Sequence, residues 1–392
     1  MHTAYICGAV RTAAGKKNGR LSQIHPVDLG AMVVDELLDR TGIPNDAVDD
    51  LIFGCVSQIG AQAGNLGRNV CLSSNLALAV PGTTVDRQCG SALQAIQFAA
   101  QAVMSGTQQA IIAGGVEVMS KVEIGSAVKD GMANGRGMPK GSRLEKRYPG
   151  IVFSQFTGAE LLAKKYHINR AALDEFGLLS HRRAAAATKA GYFRDEILPI
   201  TVTLPELGEV VHDTDEGIRF DANLEAMQGL KTLAAGGVIT AGTSSQISDG
   251  SAAVLVANET AVDRYQLTPR AKIHSLAVVG SDPEIMLEGP IPATEKVLAT
   301  AGLSLSDIDL YEVNEAFGSV PLAWAKALNA DINKLNVNGG AQALGHPLGC
   351  TGAKLMTTLL HELERRQGRY GLVAICEGGG TANAMIIERL VH

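Results

Sequence analysis

One sequence pattern occurs twice in this chain of 392 residues, once near each end. In the first copy an amphipathic helix over 27–40 ends at a glycine, and a short acidic turn leads into an apolar strand at 51–54. In the second copy a helix over 294–301 also ends at a glycine, and a similar turn leads into a strand at 310–314. Helices that alternate with apolar strands are typical of mainly parallel sheets covered by helices. The repeat therefore predicts an α/β fold with two similar halves.

The repeat continues beyond these strands. A helix that follows Cys89 leads into a strand at 110–115, and a helix in the second copy leads into a strand at 372–380. Each half then closes with an apolar strand, at 252–257 and at 384–387. In a duplicated chain the loops at the strand ends meet near a pseudo-twofold axis, so Cys89 would face the other half. A chance similarity between two ordinary strand–helix units is the alternative interpretation.

The region between the two copies breaks the pattern. Its first part contains many Gly, Lys and Arg residues with weak periodicity, and helices follow. We expect a first half over 1–120 and 250–270, an inserted loop domain over 121–249, and a second half over 271–392. The charges of the insertion are typical of a solvated face, and some of them are available to an anionic ligand.

Charge and hydropathy argue against several classes of protein. The net charge of −6 disfavours a nucleic-acid partner, which usually selects a basic surface. We see no signal peptide and no apolar run of membrane-spanning length, so we expect no membrane association. The cysteines lack CxxC pairs and clustered histidines, which argues against a metal site and a disulfide framework and favours the reducing cytoplasm. They are Cys7, Cys55, Cys71, Cys89, Cys350 and Cys376.

Cys89 is the first candidate nucleophile. A β-branched run at 83–85 predicts the end of a strand, and apolar residues from Ala92 to Val103 keep helical spacing. Cys89 therefore lies where a strand turns into a helix. Unpaired N–H groups and the helix dipole favour a thiolate at this position. The alternative is an inert buried cysteine, which is common.

Three further loops carry residues suited to catalysis. Asn314 and Glu315 follow a strand, although their spacing alone favours an ordinary helix cap. The glycine-rich stretch 338–352 surrounds His346, which makes this histidine the best candidate for a base. The glycines of 376–380 follow a strand, and their N–H groups are suited to stabilising an oxyanion. A phosphate-binding loop is the rival interpretation, but neither glycine-rich stretch has the usual GxGxxG or Walker spacing.

Four motifs in order resemble those of the thiolase family, and the resemblance covers essentially the whole chain. The motifs are VDRQCGS at 85–91, NEAF at 314–317, NGGAQALGHPLGCTG at 338–352 and CEGGG at 376–380. The resemblance implies a five-layer αβαβα fold, with two duplicated halves and an inserted loop domain. It also implies a homodimer or a homotetramer.

The resemblance also implies catalytic roles. Cys89, activated by His346, attacks the 3-keto carbon of a 3-ketoacyl-CoA, and Cys376 protonates the departing acetyl-CoA enolate. The enolate oxygen is held by His346 and by a water that Asn314 positions. The thioester oxygen meets the backbone N–H groups of Cys89 and Gly378. Coenzyme A is then a co-substrate that receives the acyl group, and no metal or permanently bound cofactor is required.

Substrate contacts follow from the same resemblance. Arg219 is expected near the nucleotide of CoA, and Ala241 and Ser245 near its pantetheine arm. The narrow acyl tunnel is expected to be lined by Met286, Ala316 and Phe317. Without the resemblance, each of these would be interpreted as an ordinary surface, loop or core residue.

Some positions depart from the family pattern. Phe156 and Thr157 stand where biosynthetic acetoacetyl-CoA thiolases carry a His-Met pair. Ala92 and Ala382 replace common glycines, and Glu377 is larger than the usual residue beside the second cysteine. These departures favour the degradative cleavage of longer or bulkier substrates, as in bacterial steroid or cyclic-acid breakdown, with acetyl-CoA or propionyl-CoA as one product.

Other functions remain open on the sequence alone. A biosynthetic acetoacetyl-CoA thiolase is the main alternative. A ketoacyl synthase shares the fold and the nucleophile but typically has a second histidine where this chain has Cys376. A catalytically silent acyl-CoA-binding protein and a thioester hydrolase complete the alternatives.

Overall fold

The structure is a computed structural model that describes residues 2–205 and 208–391.

The first half begins with alternating strands and helices. The elements in this part are β1 (Tyr5–Thr12), β2 (Gly15–Lys16), α1 (Pro26–Thr41), β3 (Asp50–Gly54), α2 (Leu66–Ser73), β4 (Gly82–Val85), α3 (Ser91–Ser105) and β5 (Ala110–Val118).

A mostly helical segment follows, and the chain then returns to the first sheet. The segment contains α4 (Ser126–Ala133), α5 (Ser142–Arg147), α6 (Gln155–Lys165), α7 (Arg170–Lys189), β6 (Ile197–Leu198), β7 (Ile200–Leu204), β8 (Gly208–His212) and α8 (Leu224–Gln228). The return is made by β9 (Ser248–Ala257), after which comes α9 (Glu259–Tyr265).

The second half repeats the alternation. Its elements are β10 (Ala271–Gly280), α10 (Pro290–Ala301), β11 (Leu310–Val313), α11 (Ser319–Leu328), α12 (Ala341–Leu344), α13 (Thr351–Arg366), β12 (Tyr370–Glu377) and β13 (Thr381–Arg389). The helix predicted over 27–40 is confirmed as α1, with Pro26 in its first turn and Gly42 in the left-handed region after its end.

The two halves share one strand order. The first half runs β1-β9-β5-β3-β4 and the second runs β10-β13-β12-β11. A parallel bridge from Tyr311 to Leu335 occupies the place in the second half that β4 has in the first. The duplication predicted from the sequence is therefore visible in the topology. The predicted domain boundaries, which depend on where the insertion starts and ends, stay a prediction.

The prediction of mainly parallel sheets is wrong, because each half is mixed. The pairs β3–β4, β3–β5 and β11–β12 are parallel, whereas β9 and β13 are antiparallel to both of their neighbours. In the second half the cause is a tight turn at 378–380, which sends β13 straight back along β12. Gly379 and Gly380 have φ values of 86° and 75°, which glycine adopts without strain.

Two helices meet between the halves. In the part of the chain that the structure describes, the strands of the two halves form one sheet, joined through β1 and β10 at the pairs Tyr5–Lys272 and Ile6–Ala271. Helices α3 and α13 contribute to one shared apolar core. They approach closely where a Cβ on Gly352 would lie 2.2 Å from the backbone nitrogen of Leu93. This contact brings the first turns of both helices, and the loops that precede them, to the same place.

Candidate active site

Cys89 lies in the short loop between β4 and α3. Ser91 fixes this loop, because its Oγ accepts a hydrogen bond from the backbone N–H of Arg87 at 2.9 Å and donates one to the carbonyl of Gln88 at 2.6 Å. A cavity of about 560 Å³ reaches the Cys89 side chain. Its lining includes Gly378 and Met286, so two predicted site residues share the cavity with the predicted nucleophile.

The start of α3 is in contact with the loop that carries His346. A Cβ on Gly54, at the end of β3, would lie 2.4 Å from the carbonyl oxygen of Gly349 and 2.7 Å from the backbone nitrogen of Ala92. Leu348, two residues after His346, lines the same cavity as Cys89. The loops of both halves therefore converge, as the duplication predicts.

Burial dominates the acidity of Cys89. The side chain is 7% exposed. Removal from water raises the pKa of its thiol to about 12, and the negative charge of Glu377 adds to this shift. The expectation of a pKa lowered by the helix start is therefore wrong for the unliganded protein, because desolvation and a neighbouring carboxylate outweigh the N–H groups. Cys89 needs a base to become nucleophilic.

Hydrogen bonds at the backbone and at both ring nitrogens hold His346. Its backbone N–H donates to Oγ of Ser248 at 2.7 Å, its Nδ1 lies 2.6 Å from Oγ1 of Thr351, and its Nε2 lies 3.3 Å from Nδ2 of Asn314. The hydroxyl of Thr351 donates its single hydrogen to the carbonyl of Pro347 at 2.9 Å, so it accepts from Nδ1. The proton of the imidazole therefore sits on Nδ1, and the lone pair of Nε2 is available to a proton.

The imidazole of His346 is neutral. Burial lowers its pKa to about 3, and the positive charge of Lys354 adds to the effect. The shift is this large because the ring is almost fully enclosed. A neutral ring whose Nε2 carries no proton is in the correct protonation state to accept one.

Asn314 does not cap a helix, which corrects the interpretation that spacing favours. The next helix, α11, starts at Ser319 after an N-cap at Gly318. Nδ2 of Asn314 instead donates to Nε2 of His346, and Oδ1 is buried without a hydrogen-bond partner among residues 2–205 and 208–391. A buried acceptor in this state is suited to a water or a substrate group.

Glu315 also has a positioning role rather than a capping one. Its carboxylate accepts hydrogen bonds from the side chains of Ser180 and Asn336 and from the backbone N–H of Gln342, at 2.7, 2.9 and 3.1 Å. These contacts connect α7 and the stretch 338–352 to the end of β11. They fix the backbone of the stretch 338–352, which carries His346.

Cys376 is the second-to-last residue of β12 and is fully buried. Burial raises the pKa of its thiol well above the usual value, and the charges of Cys89 and Glu377 raise it further. The two sulfurs are therefore close enough to interact electrostatically. Gly378, two residues later, lies in the lining of the Cys89 cavity, as an oxyanion-binding N–H requires.

The remaining predicted contacts form two other groups. Arg219 and Ala241 line a separate cavity of about 180 Å³. The backbone N–H of Ser245 donates to the carbonyl of Ala316 at 2.9 Å, beside Phe317. Gln246 lies in the lining of the separate cavity, and its carbonyl accepts the backbone N–H of His346 at 3.2 Å. The backbone around His346 therefore connects the two cavities.

Sequence reasoning missed several residues that support His346. Ser248 and Thr351 bond it directly, and Nζ of Lys354 donates to the carbonyls of Leu344 and Gly345, at 2.6 and 3.2 Å. Thr351 and Lys354 follow His346 closely in sequence, and a search for polar residues in the next helical turn would have found them. Nothing in the sequence pattern points to Ser248, which comes from β9.

Comparison with known proteins identifies the family. A model of the thiolase N-terminal domain matches residues 4–260, and a model of the thiolase C-terminal domain matches residues 267–389. The chain belongs to the thiolase family. Thiolases are acyltransferases, so the expectations of an α/β thiolase-like fold and of an acyltransferase are confirmed.

Several named thiolases are similar along their whole length. The steroid 3-ketoacyl-CoA thiolase FadA6 of Mycobacterium tuberculosis is 52% identical, with 100% of this chain and 95% of that protein covered. A 3-ketoacyl-CoA thiolase of Bacillus subtilis is 41% identical over 99% of this chain and 100% of its own. The crystal structure of the Bacillus anthracis acetyl-CoA acetyltransferase matches with a TM-score of 0.90 at 37% identity, over 100% of this chain and 99% of that one.

Across 2–205 and 208–391, no group of three or more His, Cys, Asp or Glu side chains is arranged to hold a metal ion. Over the same described ranges, every helix is too short or too polar to span a bilayer.

Proposed function

We propose that the chain is a degradative thiolase that cleaves a 3-ketoacyl-CoA with free CoA. The products are acetyl-CoA, or propionyl-CoA from a branched substrate, and a shortened acyl-CoA. The observation that carries this proposal is the placement of Cys89 and Cys376: the sulfurs come from different halves, the charge of Cys89 acts on Cys376, and Cys89 lines one cavity together with Gly378. A nucleophile and a separate acid are what carbon–carbon cleavage next to a ketone requires.

In the first half-reaction Cys89 attacks the 3-keto carbon. Its proton passes to Nε2 of His346, the ring nitrogen that carries no proton. The bond between C2 and C3 then breaks, and the thiol of Cys376 gives its proton to C2 of the acetyl-CoA enolate. The enolate oxygen is held by His346 with a water that Asn314 positions, and the unpartnered Oδ1 of Asn314 supports that role.

In the second half-reaction CoA takes the acyl group from Cys89. The thiolate of Cys376 accepts the proton of the CoA thiol, and the CoA sulfur attacks the thioester. Cys89 leaves as a thiolate and takes back its proton from Nε2 of His346. The thioester oxygen meets the backbone N–H groups of Cys89 and Gly378, and losing one such donor typically costs about 10²–10³ in rate. A covalent intermediate between two substrates gives ping-pong kinetics.

The acyl group that the site takes is bulky or ring-bearing. Ile124, Val128 and Phe153 give the Cys89 cavity an apolar wall that the inserted segment supplies. Phe156 lies where biosynthetic thiolases carry the His-Met pair. Its ring packs edge-to-face on Phe317, with ring centroids 5.6 Å apart. Similarity to a steroid 3-ketoacyl-CoA thiolase supports the same substrate class.

CoA is a co-substrate, and the site works without a metal or a permanently bound cofactor. Arg219 and Ala241 in the smaller cavity receive the nucleotide end of CoA and the adjoining part of its arm. Ser245, Ala316 and Phe317 line the path toward the sulfurs. The cation of Arg219 suits a phosphate group although the chain as a whole is acidic.

We also propose that the enzyme acts in the cytoplasm as a homodimer or a homotetramer. Strand β4 is the last strand of its sheet, and an open strand edge is a template for pairing with another chain. Size-exclusion chromatography with light scattering tests this proposal, and a monomer at micromolar concentration would contradict it.

A thiolysis panel tests the proposed function. The purified protein is mixed with CoA and with acetoacetyl-CoA, a long-chain 3-ketoacyl-CoA or a ring-bearing 3-ketoacyl-CoA. We expect the highest kcat/KM with the ring-bearing substrate. Preference for acetoacetyl-CoA would favour the biosynthetic alternative, and binding without cleavage would favour the silent acyl-CoA-binding protein. Cleavage of a simple acyl-CoA without added CoA would favour a hydrolase.

A further inference from the structure

Glu377 is a buried carboxyl group whose charge raises the pKa of both thiols, and the proposed mechanism gives it no role. It follows Cys376 directly at the end of β12, and its side chain is fully enclosed. Its Oε2 accepts a hydrogen bond from Oγ1 of Thr381 at 2.6 Å, across the glycine turn. Its Oε1 has no hydrogen-bond partner within the part of the chain that the structure describes.

The unpartnered oxygen rests against the residue that follows Cys89. A Cβ on Gly90 would lie 1.9 Å from Oε1 of Glu377 and 2.9 Å from Nδ2 of Asn383, which donates to the carbonyl of Gly90 at 3.0 Å. Only glycine leaves room for the carboxyl group here. Glu377 therefore sits at the start of α3, between the segments that carry Cys89 and Cys376.

The charges around Glu377 come from three places. Burial raises the pKa of Glu377 to about 7; the hydroxyl of Thr381 and the cation of Arg87 act against this shift, and Asp86 adds to it. Arg87 and Asp86 both belong to the loop before Cys89. The carboxylate of Glu377 in turn raises the pKa of both thiols. Glu117, from β5, adds a smaller effect at Cys89.

We propose that Glu377 is a positioning residue whose carboxylate keeps the proton of Cys376 on sulfur until the substrate is cleaved. This inference rests on the proposed function, in which Cys376 supplies a proton to C2 of the enolate. In that step the S–H bond of Cys376 breaks, a C–H bond forms at C2, and the sulfur keeps the electron pair as a thiolate. The thiol of the incoming CoA then returns a proton to that sulfur.

A fixed negative charge helps both proton transfers of Cys376. Before cleavage the charge of Glu377 disfavours the thiolate of Cys376, so this thiol stays protonated and can give its proton to carbon. After cleavage it makes the thiolate of Cys376 a stronger base toward the CoA thiol. Cys89 experiences the same charge, but the neutral ring of His346 is available to accept its proton.

Alkylation rates test this role without any turnover. Glu377→Gln keeps the size of the side chain and an acceptor for Thr381, but it removes the charge. Iodoacetamide labelling is followed by peptide mass spectrometry at Cys376 and Cys89, from about pH 5.5 to about pH 9.5. We expect labelling of Cys376 in the Gln variant to be about tenfold faster near pH 8, a shift of about one pKa unit.

The sign of the effect depends on the protonation of Glu377 itself. Because its pKa is about 7, the carboxyl group is neutral well below that pH, so the difference between the two proteins should vanish in acid and grow as the pH rises. Thr381→Val is the matched control at about pH 9.5, since it disturbs the same turn and keeps the carboxyl group. Loss of the Thr381 hydroxyl raises the pKa of Glu377, but at about pH 9.5 the carboxyl group stays ionised, so labelling should not accelerate there.

Two results would overturn the proposal. One is a labelling profile of Glu377→Gln that superimposes on the parent profile, and the other is an equal acceleration in Thr381→Val at about pH 9.5. If Glu377→Gln does not fold, the labelling profile of Cys376 in the parent protein tests the proposal by itself. The rate should flatten near pH 7, where Glu377 ionises, and an unbroken rise with pH would contradict the proposal. If the parent protein catalyses thiolysis but Glu377→Gln leaves the labelling profile of Cys376 unchanged, only the role of Glu377 is removed. If Glu377→Gln shifts that profile but the parent protein shows no thiolysis, the proposed function is removed.

Discussion

Nδ2 of Asn314 lies 3.3 Å from Nε2 of His346, and both side chains are buried although 32 residues separate them in sequence. The donor of Asn314 marks Nε2 as the nitrogen that carries no proton, and Thr351 enforces the same tautomer from the other side of the ring. Asn314 and Thr351 therefore determine together the tautomer and the orientation of the imidazole.

Replacing Asn314 tests its role at the enolate oxygen. Asn314→Ala should lower kcat by about 10²-fold with a small change in KM, because the lost contact stabilises charge that develops only during cleavage. Steady-state thiolysis measures both constants. Asn333→Ala, on an exposed loop, is the control and should keep parental kinetics. A rise in KM at unchanged kcat would show that Asn314 only binds substrate.

The hydroxyl of Thr351 is expected to fix the tautomer of His346. Thr351→Val keeps the shape but removes the acceptor for Nδ1–H, so kcat should fall by about tenfold or more, as expected for a partner that orients a catalytic histidine. Thr351→Ser restores the acceptor and should recover most of the activity. Equal losses in both variants would point to packing of the methyl group instead.

The two cysteines have separable roles. Cys376→Ser should nearly abolish carbon–carbon cleavage, because a serine hydroxyl is a far weaker acid, while Cys89 keeps the ability to accept an acyl group from a simple acyl-CoA. Intact-mass spectrometry of the acyl adduct on Cys89, after mixing with a simple acyl-CoA, measures the second activity. Loss of both activities to the same extent, in a variant that remains folded, would contradict a distinct role for Cys376.

The crossing of α3 and α13 depends on a missing side chain. Gly352→Ala places a methyl group 2.2 Å from the backbone nitrogen of Leu93, so we expect a loss of about 1–3 kcal/mol in the free energy of unfolding. Gly131→Ala is the matched control, because Gly131 also lies in a helix but its nearest neighbour to such a methyl is 3.9 Å away. It should be neutral or stabilising by up to about 1 kcal/mol. Urea denaturation compares the two.

Local patterns predicted much of the fold. The helix over 27–40 was found within one residue at each end, because a proline starts it and a glycine ends it. The duplicated halves could also be predicted, since each repeats the same order of elements. Strand direction was predicted wrongly, because the turn at 378–380 acts as a hairpin whereas the alternation of elements suggested crossovers.

The chemistry of the site could be predicted only in part. The motifs identified Cys89, His346 and Cys376, but their acidity depends on burial and on neighbours from distant segments. The cap interpretation of Asn314 failed because its partner lies in another loop. Contacts across the halves, such as that between Glu377 and Gly90, leave no periodic signal in the sequence.

The central claim is that the acyl group is transferred to Cys89. Intact-mass and peptide mass spectrometry after mixing the protein with a 3-ketoacyl-CoA, in the absence of free CoA, measures this directly. The account predicts one acyl adduct on the peptide that contains Cys89, its discharge when CoA is added, and its absence in Cys89→Ala. An adduct that persists in Cys89→Ala, or cleavage that proceeds without any adduct on Cys89, would contradict it.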